Sequence, residues 1–290
     1  MTCLAVLGVG RVGGEVAYLA SALRLADELI LYDAYTPLLE AQILDLEHMG
    51  SAPPIETDPR LVRKKADICV FAAGLPRNQS VKTRADLLDQ NLPVATECGG
   101  ALKGFSGVLI TVTNPMDPNN YFISRKVGLE PERCIGFGGQ LDSARFTFEL
   151  SKDGGNKEAW VIGEHGEHQV PVFSRLDAGV QAARREEILA NLRNASMEII
   201  KGKGGTVFGP AWHISQLIRA IARDTRELVS CSCVLSGEWG LTDCSIGVPA
   251  RVGRDGIYEI EEWKLDPWEQ QKFDEAGAFV QELCRRAYLE

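Results

Sequence analysis

The side chains of this 290-residue chain best suited to acid–base chemistry on a small anion are one histidine and an aspartate–arginine pair. His165 stands in the turn Gly163-Glu164-His165-Gly166-Glu167-His168, directly after an apolar run at 159–162. A glycine-flanked turn beyond a strand lets a side chain reach a cleft, and imidazole titrates in the range that general acid–base work needs. Of the four histidines it is the best placed; the plain alternative is a solvated turn residue. Asp142 and Arg145 lie three apart in QLDSAR, so a helix puts them on one face. On an open surface they are only an ion pair. Facing a cleft, the carboxylate can orient and stabilise a protonated imidazole, and the guanidinium can grip a substrate carboxylate through two parallel hydrogen bonds.

Such a site needs a scaffold, and the N-terminal residues 4–14, LAVLGVGRVGG, specify one. An apolar run is followed by Gly8, Gly10 and Gly13 and then by a helix-compatible segment at 15–25. This is strand, tight turn and helix: one glycine for the turn, one for close approach of a pyrophosphate, one for helix–strand packing. The helix N-terminus offers free N–H groups and a positive dipole end to the phosphates. Twenty residues past Gly13, Asp33 ends a second apolar run, where its carboxylate can accept from an adenosine ribose. Three glycines alone are weak evidence; the full strand–turn–helix–acid context identifies a dinucleotide site.

Helix at 37–49, strand at 67–72, helix at 84–102 with a kink or break at Pro93, and strand at 108–112 continue the alternation. The basic residues Arg60, Arg63, Lys64 and Lys65 are read as a solvated helix face. The fold class is therefore α/β, an N-terminal Rossmann-type doubly wound parallel sheet followed by a mixed α+β domain. The domains are placed at 1–138 for dinucleotide binding and 139–290 for substrate and catalysis. In such sheets ligands bind beyond the carboxyl ends of the strands, where Gly8 to Gly13, Asp33, Ala73, Gly74 and Asn114 all fall. The second part reads as helix 140–150, strand 159–162, helices near 184–201 and 209–223, strands 228–235, 244–252 and 256–260, and a last helix 267–288.

A formal charge of −9 argues against a general nucleic-acid or anionic-membrane surface. The first residues run straight into a strand, and no apolar run suffices to span a bilayer, so a soluble, cytoplasmic protein is expected. The eight cysteines, mostly inside apolar stretches, are expected as buried free thiols. Cys231 and Cys233 are expected on opposite faces of a strand, and with no second ligand pair at suitable spacing no metal site is expected.

The motifs LGVGRVGG, DLEH at 45–48, AAGLPR at 72–77, TRADLL at 83–88, TVTNPMD at 111–117, GFGGQLDSARF at 136–146, VIGEHGE at 161–167, KGGTVFGPA at 203–211 and GVPARVGRDG at 247–256 run nearly end to end. In these the chain resembles the L-lactate/malate dehydrogenase family, most closely its archaeal malate-specific members. The resemblance implies that His165 exchanges the proton, with Asp142 paired to it. It implies further that Arg145 holds the substrate's 1-carboxylate, Arg84 polarises the reacting carbonyl from a mobile loop, Asn114 bonds the substrate or nicotinamide, and Thr206 borders the pocket. Arg11, Val12, Asn91 and Val112 join the glycines, Asp33, Ala73 and Gly74 as cofactor-binding positions. NAD is expected over NADP, because Asp33 opposes a 2′-phosphate. A homodimer or homotetramer and a place in the tricarboxylic acid cycle are also implied.

The chain departs from the family between 76 and 84, PRNQSVKTR, which lacks the usual Lys-Pro-Gly turn. Counting back from Arg84 puts Asn78 at the substrate-discriminating position, whereas matching the Pro-Arg pair puts Arg77 there in a lengthened loop. Arginine would pair the second carboxylate of a dicarboxylate, and asparagine would suit a smaller 2-oxo acid. Arg77 is preferred, with Lys82 a further source of charge. Glu167-His168 also replaces the usual Asp and small residue. Two rival readings stay open: a lactate or other 2-hydroxyacid dehydrogenase, and a non-catalytic dinucleotide-binding redox sensor.

Overall fold

The computed structural model describes residues 1–75, 83–152, 154, 158–176 and 179–289. The chain runs β1 (Cys3–Leu7), α1 (Arg11–Ala22), β2 (Glu28–Tyr32), α2 (Thr36–Glu47), β3 (Ile55–Glu56), α3 (Val62–Lys65), β4 (Ile68–Phe71), α4 (Arg84–Leu102), β5 (Val108–Thr111), α5 (Met116–Val127), β6 (Cys134–Gly136) and α6 (Gly139–Ser151). It continues through β7 (Val161–Gly163), β8 (Gln169–Pro171), α7 (Ala182–Lys203), α8 (Phe208–Arg223), β9 (Glu227–Ser236), β10 (Thr242–Gly253), β11 (Gly256–Ile260) and α9 (Pro267–Leu289).

Strands β1, β4 and β5 are buried at every position, as apolar runs covered by helices on both faces must be. Each fully buried Leu, Ile or Val contributes about 1.5–3 kcal/mol, so this inner sheet is a main source of stability. The order is β3-β2-β1-β4-β5-β6, all parallel. The connections leave β1 in one direction and return at β4 in the other, which opens a crevice at the carboxyl ends of these two strands. Beyond β6 the sheet changes polarity: β6 pairs antiparallel with β9 through Ile135 and Gly136, and β9, β10, β7 and β8 continue it antiparallel.

Most expected elements are present within a few residues, and three differences are instructive. The short strands β3 and β8 are additional; the strand expected third is β4. Helix α4 runs through Pro93 without a break. Helix α5 was not expected, because nine consecutive residues from Met116 to Ser124 are buried. A helix covered on all sides has no polar stripe to reveal its period. It packs against α4, α9 and β10 and ends at Gly128 in the left-handed conformation, φ +73°.

The cysteines are all buried free thiols. Cys231 and Cys233, expected on opposite faces of β9, are corrected: their sulfurs lie 3.8 Å apart. Residues two apart on a strand share a face, since alternation has a period of two. Among the described residues no group of three or more His, Cys, Asp or Glu is placed to hold a metal ion. No described helix is long and apolar enough to cross a membrane.

The glycine turn shows what each position requires. A Cβ at Gly8, where φ is +92°, would sit 2.3 Å from the Ala73 backbone, and one at Gly13 would sit 1.8 Å from the Gly8 carbonyl oxygen. A Cβ at Gly10 would meet no protein atom within 4 Å. Urea denaturation should therefore find Gly13→Ala destabilised by about 3 kcal/mol or more, while Gly10→Ala changes stability by less than about 1 kcal/mol.

Candidate functional site

The crevice between β1 and β4 is lined by main chain held at close quarters. Asp33, just past β2, accepts from Val9 N–H at 3.0 Å through one oxygen and from Tyr35 N–H at 2.9 Å through the other. Its carboxylate thus ties the second strand to the glycine turn while each oxygen keeps a lone pair for a ribose hydroxyl. Val12 is half-buried in the first turn of α1. Arg11, the first residue of α1, donates through Nη1 to the Gly204 carbonyl at 2.6 Å, so its side chain reaches the turn between α7 and α8. The open face above Gly10, the absence of Cβ atoms at Gly8 and Gly13, and the α1 N-terminus together fit a dinucleotide pyrophosphate.

On the other side of the crevice the loops after β4 and β5 are stitched together. Asn91, buried on α4, accepts from Leu75 N–H at 2.7 Å and donates to the Leu75 and Asn114 carbonyls at 3.2 and 2.8 Å. Thr113 donates to the Ala73 carbonyl at 2.7 Å, and a Cβ at Gly74 would strike the Thr113 methyl at 2.5 Å. Val112 is half-buried and Asn114 exposed at this edge. Asn91 therefore acts here by holding two loops, with its amide committed to main-chain groups.

The acid–base residues meet across α6 and β7. Gly138 and Gly139 let the start of α6 approach closely: a Cβ at Gly138 would lie 2.4 Å from His165 Cγ, and one at Gly139 2.2 Å from Ser230 Oγ. Asp142, in the first turn of α6 and 2% exposed, accepts from both sides. His165 Nδ1 is 2.6 Å from Oδ2, and Arg145 Nη1 is 3.0 Å from Oδ1. Burial alone would push the Asp142 carboxyl up, but the charges and hydrogen bonds of His165 and Arg145 outweigh it and hold the group below its usual range. For His165 burial disfavours the charged ring, yet Asp142 prevails and raises its pKa. With Nδ1 facing Asp142, Nε2 is the nitrogen left to exchange a proton.

Arg84 is the first residue of α4, set there by a capping box: Thr83 Oγ1 accepts from Asp86 N–H at 3.1 Å and the Asp86 carboxylate accepts from Thr83 N–H at 2.9 Å. Its guanidinium donates to the His165 carbonyl at 2.9 Å, and Nε lies 3.3 Å from Glu164 Oε1. Glu164 is buried; burial raises its pKa, but His168 and Arg84 more than compensate and lower it. A Cβ at Gly166 would sit 2.0 Å from Arg84 Nη2 and 2.2 Å from Glu164 Oε1, so a larger residue there would push both side chains out of this arrangement. Thr206 is half-buried in the turn before α8, and a Cβ at Gly209 would touch Leu141 of α6 at 3.1 Å. Arg77, Asn78 and Lys82 lie outside the described residues.

Two residues given no role from sequence belong to this site. Glu164 engages Arg84, and Asp117 accepts from His165 main-chain N–H at 2.9 Å. Both stood in quoted motifs, but their partners lie far off in sequence and nothing local singled them out.

A parallel sheet with an open glycine turn at its crevice, facing a His–Asp pair and two arginines, defines the class: a dinucleotide-dependent dehydrogenase. The family then follows from comparison. The model of the lactate/malate dehydrogenase NAD-binding domain matches residues 2–136, and that of the lactate/malate dehydrogenase alpha/beta C-terminal domain matches 139–285. The chain belongs to the lactate/malate dehydrogenase family. It is 36% identical over 295 residues to a malate dehydrogenase of Halobacterium salinarum, covering 96% of each chain. It is 33% identical over 302 residues to L-lactate dehydrogenase 1 of Bacillus cereus, covering 95% of each. Among solved structures, the malate dehydrogenase of Archaeoglobus fulgidus in complex with NADH superposes with a TM-score of 0.90, at 30% identity over 99% of each chain.

The His165–Asp142 pair fixes a pH dependence. The raised His165 pKa contributes stability that is complete below the ordinary histidine value of 6.5 and lost as pH rises through the folded value. The lowered Asp142 pKa contributes stability present above 3.8 and lost as pH falls through its folded value. The Tm advantage of wild type over His165→Asn should therefore be greatest between these values and decline on the alkaline side, as calorimetry across pH would record.

Proposed function

We propose that this chain is an NAD-dependent malate dehydrogenase that interconverts malate and oxaloacetate. The observation that carries the reading is the Asp142 carboxylate shared by His165 and Arg145 in a chain of this family. When bound in the crevice, a nicotinamide would supply or accept the hydride. In reduction, His165 gives its Nε2 proton to the carbonyl oxygen while Asp142 stabilises the imidazolium; in oxidation the neutral ring takes the hydroxyl proton. Arg145 grips the 1-carboxylate through two parallel hydrogen bonds. Arg84 and the imidazolium stabilise charge developing on the reacting oxygen. Asn114 and Thr206 border the substrate, and Arg77 is the proposed partner of its second carboxylate.

The cofactor would be held by Gly8, Gly10, Arg11, Val12, Gly13, Asp33, Ala73, Gly74, Val112 and Asn114, with Asn91 acting on it through the two loops it ties together. We assign 1–138 to the cofactor-binding domain and 139–290 to the substrate domain, a division supported by the change of sheet polarity after β6. With NADH, kcat/KM for oxaloacetate should exceed that for pyruvate by about 100-fold or more, the discrimination expected of a paired second carboxylate. NADPH should be the poorer donor. A preference for pyruvate would favour a lactate dehydrogenase, and cofactor binding with no turnover of any 2-oxo acid a redox sensor.

The protein is proposed to act as a homodimer or homotetramer in the cytoplasm. Tyr18 on α1, Leu44 on α2, Ile200 on α7 and Phe208 and Trp212 on α8 are all exposed. Of these, Tyr18 and Phe208 line a cavity of about 540 Å³ between α1, α2 and the α7–α8 turn, with Leu46, Met49 and Val207. An apolar face of this kind suits a second copy of the chain. Light scattering should return a mass of at least twice 31.7 kDa, and Leu44→Glu with Trp212→Glu should reduce it to one chain.

A further inference from the structure

We propose that Asp117 is the positioning residue of the His165 turn, its buried carboxylate fixed by a one-way chain of donors from Asn120 through Ser245 and Ser232. This rests on reading His165 as the proton-exchanging group. Asp117 lies in the first turn of α5, 2% exposed. Its Oδ2 accepts from His165 main-chain N–H at 2.9 Å, and its Oδ1 accepts from Ser232 Oγ–H at 2.6 Å. Ser232 and Ser245 hydroxyl oxygens are 2.8 Å apart, and Asn120 Nδ2 donates to Ser245 Oγ at 2.9 Å. Every member of the chain is buried.

The chemistry of the two ends sets its direction. An amide nitrogen only donates, and an ionised carboxylate only accepts. Ser232 must therefore spend its proton on Asp117 and take one from Ser245, whose own oxygen takes one from Asn120. Each hydroxyl then donates once and accepts once, and both Asp117 oxygens are taken up as acceptors, which suits the ionised form. Helix α5 and strands β9 and β10 thereby converge on a single main-chain N–H.

That N–H belongs to a turn that leaves β7 through Gly163 at φ +87°. Without Asp117 this half-buried N–H would lose its acceptor, leaving the ring free to shift relative to substrate. The residue is instead held at both ends: Asp142 takes the ring and Asp117 the main chain. A shift of less than an ångström in an acid–base group is enough to slow proton transfer markedly.

Charge adds to position. Asp117 faces Glu164 and His165, with the neutral thiols of Cys244 and Cys284 nearby; burial first and Glu164 second push its carboxyl up to about 6. The His165 ring faces Asp142 from α6, Arg84 from α4 and Asp117 from α5. Ionised Asp117 thus supports the imidazolium against the opposing charge of Arg84.

The test compares full-length wild type, Asp117→Asn and Ser232→Ala. NMR of the cofactor-free protein follows the His165 ring, its resonance identified as the one missing from His165→Asn. In Asp117→Asn the ring pKa should fall by about half a unit or more, because an adjacent negative charge is gone. The alkaline midpoint of kcat/KM for oxaloacetate should move down with it. Turnover should drop about tenfold or more while KM and the NADH Kd stay within about twofold. Ser232→Ala keeps the charge and removes one donor, so kcat should fall with a smaller change in ring pKa. Wild-type ring pKa and kcat in Asp117→Asn would overturn the proposal, as would parallel losses of kcat, NADH binding and Tm. If Asp117→Asn does not fold, unchanged kcat in Ser232→Ala overturns it. The ring titration needs no substrate, so absence of wild-type turnover would count against the dehydrogenase reading and leave the titration to decide the role of Asp117.

Discussion

A carboxylate taken out of water must be paired, and at Asp142 that requirement organises the molecule. Its two oxygens are divided between His165 Nδ1 and Arg145 Nη1, so one buried negative charge aligns the ring proposed to exchange the proton and the guanidinium proposed to bind the substrate anion. Removing either partner leaves the carboxylate half-satisfied, which is costlier than never burying it. The glycine pair before it follows from the same demand. Only residues without Cβ allow α6 to begin against the His165 ring and against Ser230 of β9. The polarity change of the sheet after β6 serves the same end by bringing β9, β10 and β7 beside the parallel strands.

The second constraint is electroneutrality around the turn itself. Three buried acids, Asp117, Asp142 and Glu164, surround His165, and each is matched differently: by hydroxyl and main-chain donors, by the ring and Arg145, and by Arg84 with His168. The acid matched by neutral donors has its carboxyl raised, whereas the two matched by cations are lowered. Two aspartates on different helices, Asp117 of α5 and Asp142 of α6, thus take opposite shifts around one histidine.

Much of this was legible in the sequence. Apolar runs ending in glycine marked β1 and β4, one ending in Asp33 marked β2, and the three-residue spacing of Asp142 and Arg145 marked a shared helical face. Helix α5 was not legible, since burial on all sides erases the amphipathic period. The pairing of Cys231 with Cys233 was misread through the strand period itself. Arg84 came only from family resemblance, because nothing in spacing brings residue 84 to residue 165. Asp117 and Glu164 were in view without a role, since their partners lie on β9 and α4, far away in sequence. Long-range pairing of polar groups leaves no local periodicity, whereas burial of an apolar face does.

Helix α5 carries Asp117 and Asn120 on a segment whose neighbouring side chains, Tyr121, Phe122 and Ile123, are core. The main chain of His165 is therefore registered against the interior of the protein rather than against its surface. With His165 in its proposed role, fidelity of proton transfer would rest on close packing, and a methyl group lost or gained beside α5 would be felt at the ring. For this enzyme architecture the hydrophobic core is part of the instrument that measures the distance between acid and substrate.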